Sequence, residues 1–468
     1  MSRLGFTTTD RVVFLVLAVT IGFGFPRFAA AQDTANAIPE SARKTIADLT
    51  ARVADLERVV GRLQSGQDEP WLTTRRAAEI RGLVQDVLAD ADTRSSLLQD
   101  GMTAGWDKGF FLGSADGNFL LKVQGQLQAR FVYNTQDNSD DDDNRWGFEN
   151  RRTKLIFSGH IVDRSWDYRI QSAANRDGGD FDLDDAFIAK HFGDWTLRVG
   201  QFKPPFMREE LISSTRQLAV ERSLVNDEFG QGRSQGVELA YRGDQFGAAV
   251  MLNEGFDRDN TPALAQATEF AITARSEALI AGSWSQFRDF ASWPDEGTAV
   301  LIGVALHYER DEFGTGDGLF VDADADGLDD TPNDAERETL AFTADLSLEF
   351  GSANAFAAFV YRNLDRDSTK ADQLGLVVQG GVFPTDDLEI FARYEWADAD
   401  SAGVADLSVI TFGVNRFWDE HALKWSMDVG IGLSEIAEPW SANGAGWRTD
   451  GEGQDGQIVI RSQMQLLF

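Results

Sequence analysis

The sequence predicts an all-β transmembrane barrel of about sixteen antiparallel strands, preceded by a short N-terminal helical, coiled-coil region. Three observations predict it. The chain ends on a strand: Ile458, Ile460, Ser462, Met464, Leu466 and Phe468 share one phase, and Val459, Arg461, Gln463, Gln465 and Leu467 share the other. A soluble terminus usually frays, whereas the last strand of a membrane barrel must pair with the first, because an open edge cannot exist in lipid. The second observation is the length of alternation. Phe119, Leu121, Val123, Gly125, Leu127, Ala129, Phe131 and Tyr133 alternate with Lys122, Gln124, Gln126, Gln128 and Arg130. A tilted strand crosses a bilayer in about 9–11 residues, while strands of soluble sandwiches run to about 5–6. The third is a leader suited to export.

That leader spans residues 1–31. Arg3 and Arg11 precede the apolar run from Val12 to Phe25, and Ala29-Ala30-Ala31 supplies a small-residue cleavage pattern, so a secretory signal peptide is expected with cleavage after Ala31. The formal charge of the chain is −33, which excludes nucleic acid as a partner because both surfaces are anionic. Absence of cysteine excludes disulfides and thiolate metal sites. After residue 31 no stretch approaches the roughly 20 apolar residues of a membrane-spanning helix.

Residues 32–105 read as a periplasmic helical region. Ile46, Leu49, Val53, Leu56, Val60 and Leu63 follow at alternating spacings of three and four, a heptad seam with β-branched residues at one position and Leu at the other. The same pattern suits an amphipathic helix docked on the domain's own surface. Ser65-Gly66-Gln67-Asp68-Glu69-Pro70 breaks it, and Ala77, Ile80, Val84, Val87 and Leu88 mark a second helical stripe.

Residues 106–468 carry the barrel. Strands are expected at about 119–133, 148–161, 165–173, 182–191, 195–203, 234–242, 246–254, 269–277, 299–309, 338–350, 353–362, 372–382, 387–396, 407–417, 422–432 and 457–468. Polar side chains facing a lumen and apolar ones facing lipid account for alternation of this length, and aromatic residues near the strand ends fit interfacial girdles. Tight links such as Gly193-Asp194 and Gly243-Asp244-Gln245 read as periplasmic turns. Long links at about 134–147, 204–233, 278–298, 310–337 and 433–456 are expected on the opposite rim.

Within this region Gly109-Phe110-Phe111-Leu112, Asp116-Gly117-Asn118-Phe119, Gly125-Gln126-Leu127-Gln128, Val199-Gly200-Gln201-Phe202-Lys203-Pro204-Pro205-Phe206 and Glu221-Arg222-Ser223-Leu224 occur in order before Gly236-Val237. Residues from about 109 to 468 thereby resemble the phosphate-selective porin O/P family. The resemblance implies a trimeric, passive outer-membrane channel with a long loop, here 204–233, folded into the lumen.

The inward phase of the early strands holds Lys122, Arg130, Arg152, Lys154, Arg169 and Arg198, and the long link adds Lys203 and Arg222. Rings of basic side chains make anion pores, and Arg matches phosphate oxygens bidentately; these eight residues are the candidate anion path. The opposing expectation is that they serve only as lumen wall, paired with Asp167, Asp184 and Glu238.

Asp322, Asp324 and Asp326 precede Gly327, the opening of a calcium loop, although Asn333 stands where the closing bidentate carboxylate belongs. Calcium in the 322–334 loop is therefore the one cofactor expectation, against a solvated acidic loop. The histidines at 160, 191, 307 and 421 have no metal-ligand spacing, and no catalytic motif is present. The expected partners are outer-membrane lipid, small hydrophilic solutes such as phosphate or other anions, and two further copies of the chain in a homotrimer. The expected place is the outer membrane of a Gram-negative-type envelope. A secreted or periplasmic β-rich binding protein without channel activity is the alternative, and a barrel-borne hydrolase a third.

Overall fold

The computed structural model describes residues 102–136, 144–176, 179–262, 268–312, 320–321, 331–332, 336–366 and 369–468. The signal peptide, the heptad seam, the second helical stripe and the Asp322, Asp324, Asp326 loop lie outside the described residues.

Strands occur where the alternation runs. They are β1 Thr103–Trp106, β2 Phe110–Gly113, β3 Leu120–Thr135, β4 Asn144–His160, β5 Trp166–Ala174, β6 Phe181–Phe192, β7 Trp195–Phe202, β8 Ser234–Arg242, β9 Phe246–Asn253 and β10 Thr268–Ala281. After these come β11 Thr298–Glu312, β12 Phe320–Val321, β13 Thr331–Pro332, β14 Glu336–Phe350, β15 Ala353–Arg366, β16 Thr369–Thr385, β17 Leu388–Asp398, β18 Leu407–Asp419, β19 Leu423–Gly432 and β20 Ile458–Leu467. The strands β3–β11 and β14–β20 are the sixteen expected from sequence, each antiparallel to the next.

The sheet closes because β20 pairs with β3, from Ile458↔Thr135 to Leu467↔Gln126. Phe468 extends the seam by one residue: its carbonyl accepts from the Gly125 amide at 2.6 Å, and its amide donates to Gly125 at 3.0 Å. A Cβ at Gly125 would stand 2.3 Å from the Phe468 ring, so only glycine leaves room for the terminal aromatic. Beyond that point β20 is exhausted and β2 takes over the β3 edge, with Phe110↔Val123 and Leu112↔Leu121. The closing pair thus runs the full length of β3 and leaves neither of its edges open.

Outward and inward faces differ as lipid and lumen should. On β11, Ile302, Val304 and Leu306 are exposed, while Leu301, Ala305 and His307 between them are buried. Exposed aromatics gather at the rims: Trp166, Phe192, Trp195, Phe246, Phe350 and Trp418 near one, Trp146, Phe148, Phe181 and Phe270 near the other. The first rim carries tight turns, including Gly351-Ser352 with φ of 60° and 82°, the left-handed pair that a two-residue hairpin requires.

One connection departs from the sequence expectation. The length of the link between β10 and β11, residues 282–297, predicts a place among the long loops. The link lies on the short-turn rim, because connections in an up-and-down barrel alternate between rims whatever their length. Conversely β15 ends and β16 begins on the long-loop rim with Arg366 paired to Thr369.

Candidate permeation path

The long link after β7 folds inward, and its sequence explains why. Pro204 and Pro205 lack amide donors and end the strand. Two short helices follow, α1 Arg208–Leu211 and α2 Leu224–Phe229. Ser223 caps α2 by accepting from the Asn226 amide at 2.9 Å, and Glu209 of α1 receives the Ser223 amide and hydroxyl at 2.8 and 2.6 Å, which ties the two helices together. Phe206, Met207, Leu224, Val225 and Phe229 pack against inward Ala305, Ala341, Val360, Val377, Ala397 and Val409. Each large side chain so buried contributes about 1.5–3 kcal/mol. Gly375 makes the space: a Cβ there would lie 2.7 Å from Val225 and 3.2 Å from Phe229.

A buried loop must also satisfy its backbone, and here the wall does so. Arg275 donates to the Phe206 carbonyl at 2.9 Å, Gln465 to Thr215 at 3.0 Å, Lys424 to Gln217 at 3.2 Å and Asn415 to Leu218 at 2.9 Å. Arg393 donates to Glu221 at 2.8 Å and Arg362 to Glu228 at 2.9 Å, while Asp428 accepts the Val220 amide at 2.9 Å. Arg275 is itself neutralised by Asp345 and Arg393 by Glu395, and Asp428 is balanced by Arg461.

Two further segments thicken this side. The loop 433–457 sends Ile436, Trp440 and Trp447 into the same cluster as α2. From the opposite rim, residues 282–297 fold under the barrel. Phe290 lies tilted against Phe356 at 4.9 Å, Trp293 lies 5.3 Å from Phe383 and 4.9 Å from Phe417, and the Phe290 amide meets the Arg216 carbonyl at 3.4 Å. Inward side chains of β10–β20 are accordingly buried almost without interruption.

The wall from β4 to β7 differs. Arg152, Lys154, Arg169, Asp185, Phe187 and Arg198 face inward and keep part of their surface open. Cations outnumber carboxylates in its charge clusters. Arg130, Arg151 and Arg152 converge on Glu221, the latter two at 2.7 Å, and Glu149 is shared by Arg130 and Arg176. Lys154, Arg169 and Arg233 meet Asp184 and Asp185, and Lys203 and Arg222 meet Glu210 at 2.7 and 3.4 Å. Exposed Asp182 and Asp227 stand against them. Burial opposes the charge on Glu221, but the Arg152, Arg151 and Arg130 guanidiniums outweigh it and hold this loop carboxyl well below the ordinary glutamate value.

The eight candidate residues thus fall into four groups. Arg152, Lys154, Arg169 and Arg198 share the open wall. Arg130 lies beside them but is fully covered, held by Glu149, Glu221 and the Gly444 carbonyl. Lys203 and Arg222 brace the loop through Glu210, and Arg222 donates also to the Glu209 and Ile212 carbonyls at 3.1 and 2.9 Å. Lys122 stands apart near the short-turn rim, paired with Asp107 at 3.2 Å. Sequence periodicity missed Arg151. A β-bulge where Gln128 and Ala129 oppose Arg152 and Asn150 inserts it as an extra residue, and its guanidinium reaches Glu221.

Residues 121–430 match the family described as phosphate-selective porin O and P. No curated protein matches the sequence. Among solved structures the chain is similar to in-vitro folded OmpT, an outer membrane protein of Vibrio cholerae, at 14% identity and a TM-score of 0.50, over 78% of this chain and 99% of that one. It is similar as well to an anion-selective porin from Comamonas acidovorans, at 12% identity and a TM-score of 0.50, over 74% of this chain and 99% of that one. At these identities the likeness establishes a shared barrel fold. Family match, closed sixteen-stranded barrel and inward loop agree: this chain belongs to the phosphate-selective porin O and P family, passive channels of the outer membrane.

Proposed function

We propose that the channel favours small anions, phosphate among them, along a path on the β4–β7 side of the lumen, and that it works as a homotrimer without catalysing a reaction. The observation that carries the selectivity is the excess of guanidinium and ammonium groups over carboxylates in the clusters of the partly open β4–β7 wall. The chain as a whole is acidic, and its long loops are rich in Asp. Charges at a wide mouth are screened over about 8 Å at physiological salt, whereas low-dielectric walls focus the field of charges in a narrow passage. The passage therefore decides the sign. The reversal potential of single channels in a salt gradient tests this, with anion preference expected in wild type and a shift toward cations on replacing Arg152 and Lys154 together by Gln. An unchanged potential would remove these side chains from the path. The trimer is tested by the mass of the detergent-solubilised complex; a monomeric mass would refute it.

A further inference from the structure

The open wall carries an apolar element that a path for inorganic anions has no use for. Lumen-facing positions of a water-filled barrel are polar as a rule, since an apolar side chain there stays hydrated. On the covered wall the inward Val360, Val377 and Phe391 obey the physics by lying under the constriction loop or the 282–297 link. On the open wall Phe187 and Ile156 have no such cover. Register fixes both inward: Phe187 opposes Arg169 on β5 and Gly200 on β7, and Ile156 opposes Gln171. Both remain only partly buried. They sit one row and two strands apart, roughly 10 Å at the usual strand spacing, with Arg169 between.

Two guanidiniums flank the ring. Arg198 stands 5.0 Å from the Phe187 centroid and 4.7 Å from that of Phe202, which meets Phe187 edge to face at 5.7 Å. Arg169 and Arg198 are 34% and 32% exposed, the most open arginines of this inward row. Their pairing is incomplete. Arg198 has one carboxylate, Glu238 at 3.4 Å, and Arg169 has Asp185 at 3.2 Å and Gln171. A guanidinium offers five donors, so both keep several to spend on a solute.

Resting on the anion reading above, we infer that Arg169, Phe187, Arg198 and Ile156 form a subsite for anions with an aromatic or apolar body, aromatic carboxylates above all. The carboxylate takes free N–H groups of Arg169 or Arg198. The ring of the solute lies against Phe187 and Ile156 and removes their apolar surface from water. Acetate or phosphate would engage the arginines alone and gain nothing from the ring.

The test is the permeability of benzoate relative to acetate, from bi-ionic reversal potentials of the full chain in planar bilayers. In wild type benzoate should pass more readily relative to acetate than its slower free diffusion allows. Phe187→Ala should cut the benzoate-to-acetate ratio by about threefold, the weight of one aromatic contact. Phe187→Tyr should preserve it, and the potassium-to-chloride ratio should stay unchanged in both. If Phe187→Ala leaves the benzoate-to-acetate ratio where it was, or if wild type shows no benzoate preference, the subsite is refuted. The potassium chloride potential judges the anion reading separately: a cation-selective wild type would overturn that reading, and the Phe187 dependence of benzoate passage would still decide the subsite.

Discussion

The two halves of the lumen wall use the same side chains for opposite ends. On β10–β20, Arg275, Arg393 and Arg461 are buried, each matched to a carboxylate and each donating to a loop carbonyl. On β4–β7, Arg152, Arg169 and Arg198 stay partly open, in clusters where cation outweighs anion or pairing is loose. The first set is mortar for a folded-in loop; the second faces the lumen. An inward arginine in a barrel therefore says little until it is known which arc of the wall the loops cover.

Substitutions on the covered half should break the fold, and the same chemistry on the open half should only retune conduction. The largest effect is expected for Phe229→Ala. Phe229 is 1% exposed, wedged between Gly375 and Trp440, and its truncation should cost about 3–5 kcal/mol. Chemical unfolding in detergent should show the loss, with a larger single-channel conductance as α2 comes loose. Arg461→Met follows. It strands Asp428 in a fully buried position at a cost of about 3–5 kcal/mol, and the paired replacement with Asp428→Leu should restore much of it. A matching Arg169→Met change on the open wall, which leaves Asp185 paired with Arg233, should cost under about 1 kcal/mol, and unfolding midpoints of the two variants side by side measure the contrast.

The smallest effect concerns pH. Glu221 ties the loop to Arg130, Arg151 and Arg152. Its folded value is depressed, so its contribution is present above the unfolded glutamate value near 4.5 and is lost only as pH falls through the lower folded one. Between about pH 6 and about pH 5, where Lys203, lowered by burial to about 7, keeps its charge and Glu221 stays ionised, the loop should stay seated with constant conductance steps. A conductance that climbs within that window would mean that the Glu221 cluster does not hold the loop.

Much of this was legible in the sequence. Period-two alternation located all sixteen strands, since lipid and lumen impose opposite polarity on successive residues, and the terminal Phe468 announced the closing pair. Lys203-Pro204-Pro205 marked where the constriction loop leaves β7. Other features had no local signal. The bulge that turns Arg151 toward Glu221 depends on how β3 and β4 pair. The burial of Arg130 depends on loops at 221 and 444, far away in the chain. The placement of 282–297 was recoverable by strand parity, and its length misled. The calcium expectation at Asp322, Asp324 and Asp326 rests on spacing alone.

On the proposed path the open half of the wall, and not the acidic loops, decides which ions pass. The reversal potential of wild-type channels across a potassium chloride gradient measures this most directly. At salt above about 0.1 M, where mouth charges are screened, a potential on the chloride side is predicted, moving toward potassium when Arg152 and Lys154 are replaced by Gln. A potassium-selective wild type, unaltered by that replacement, would contradict it.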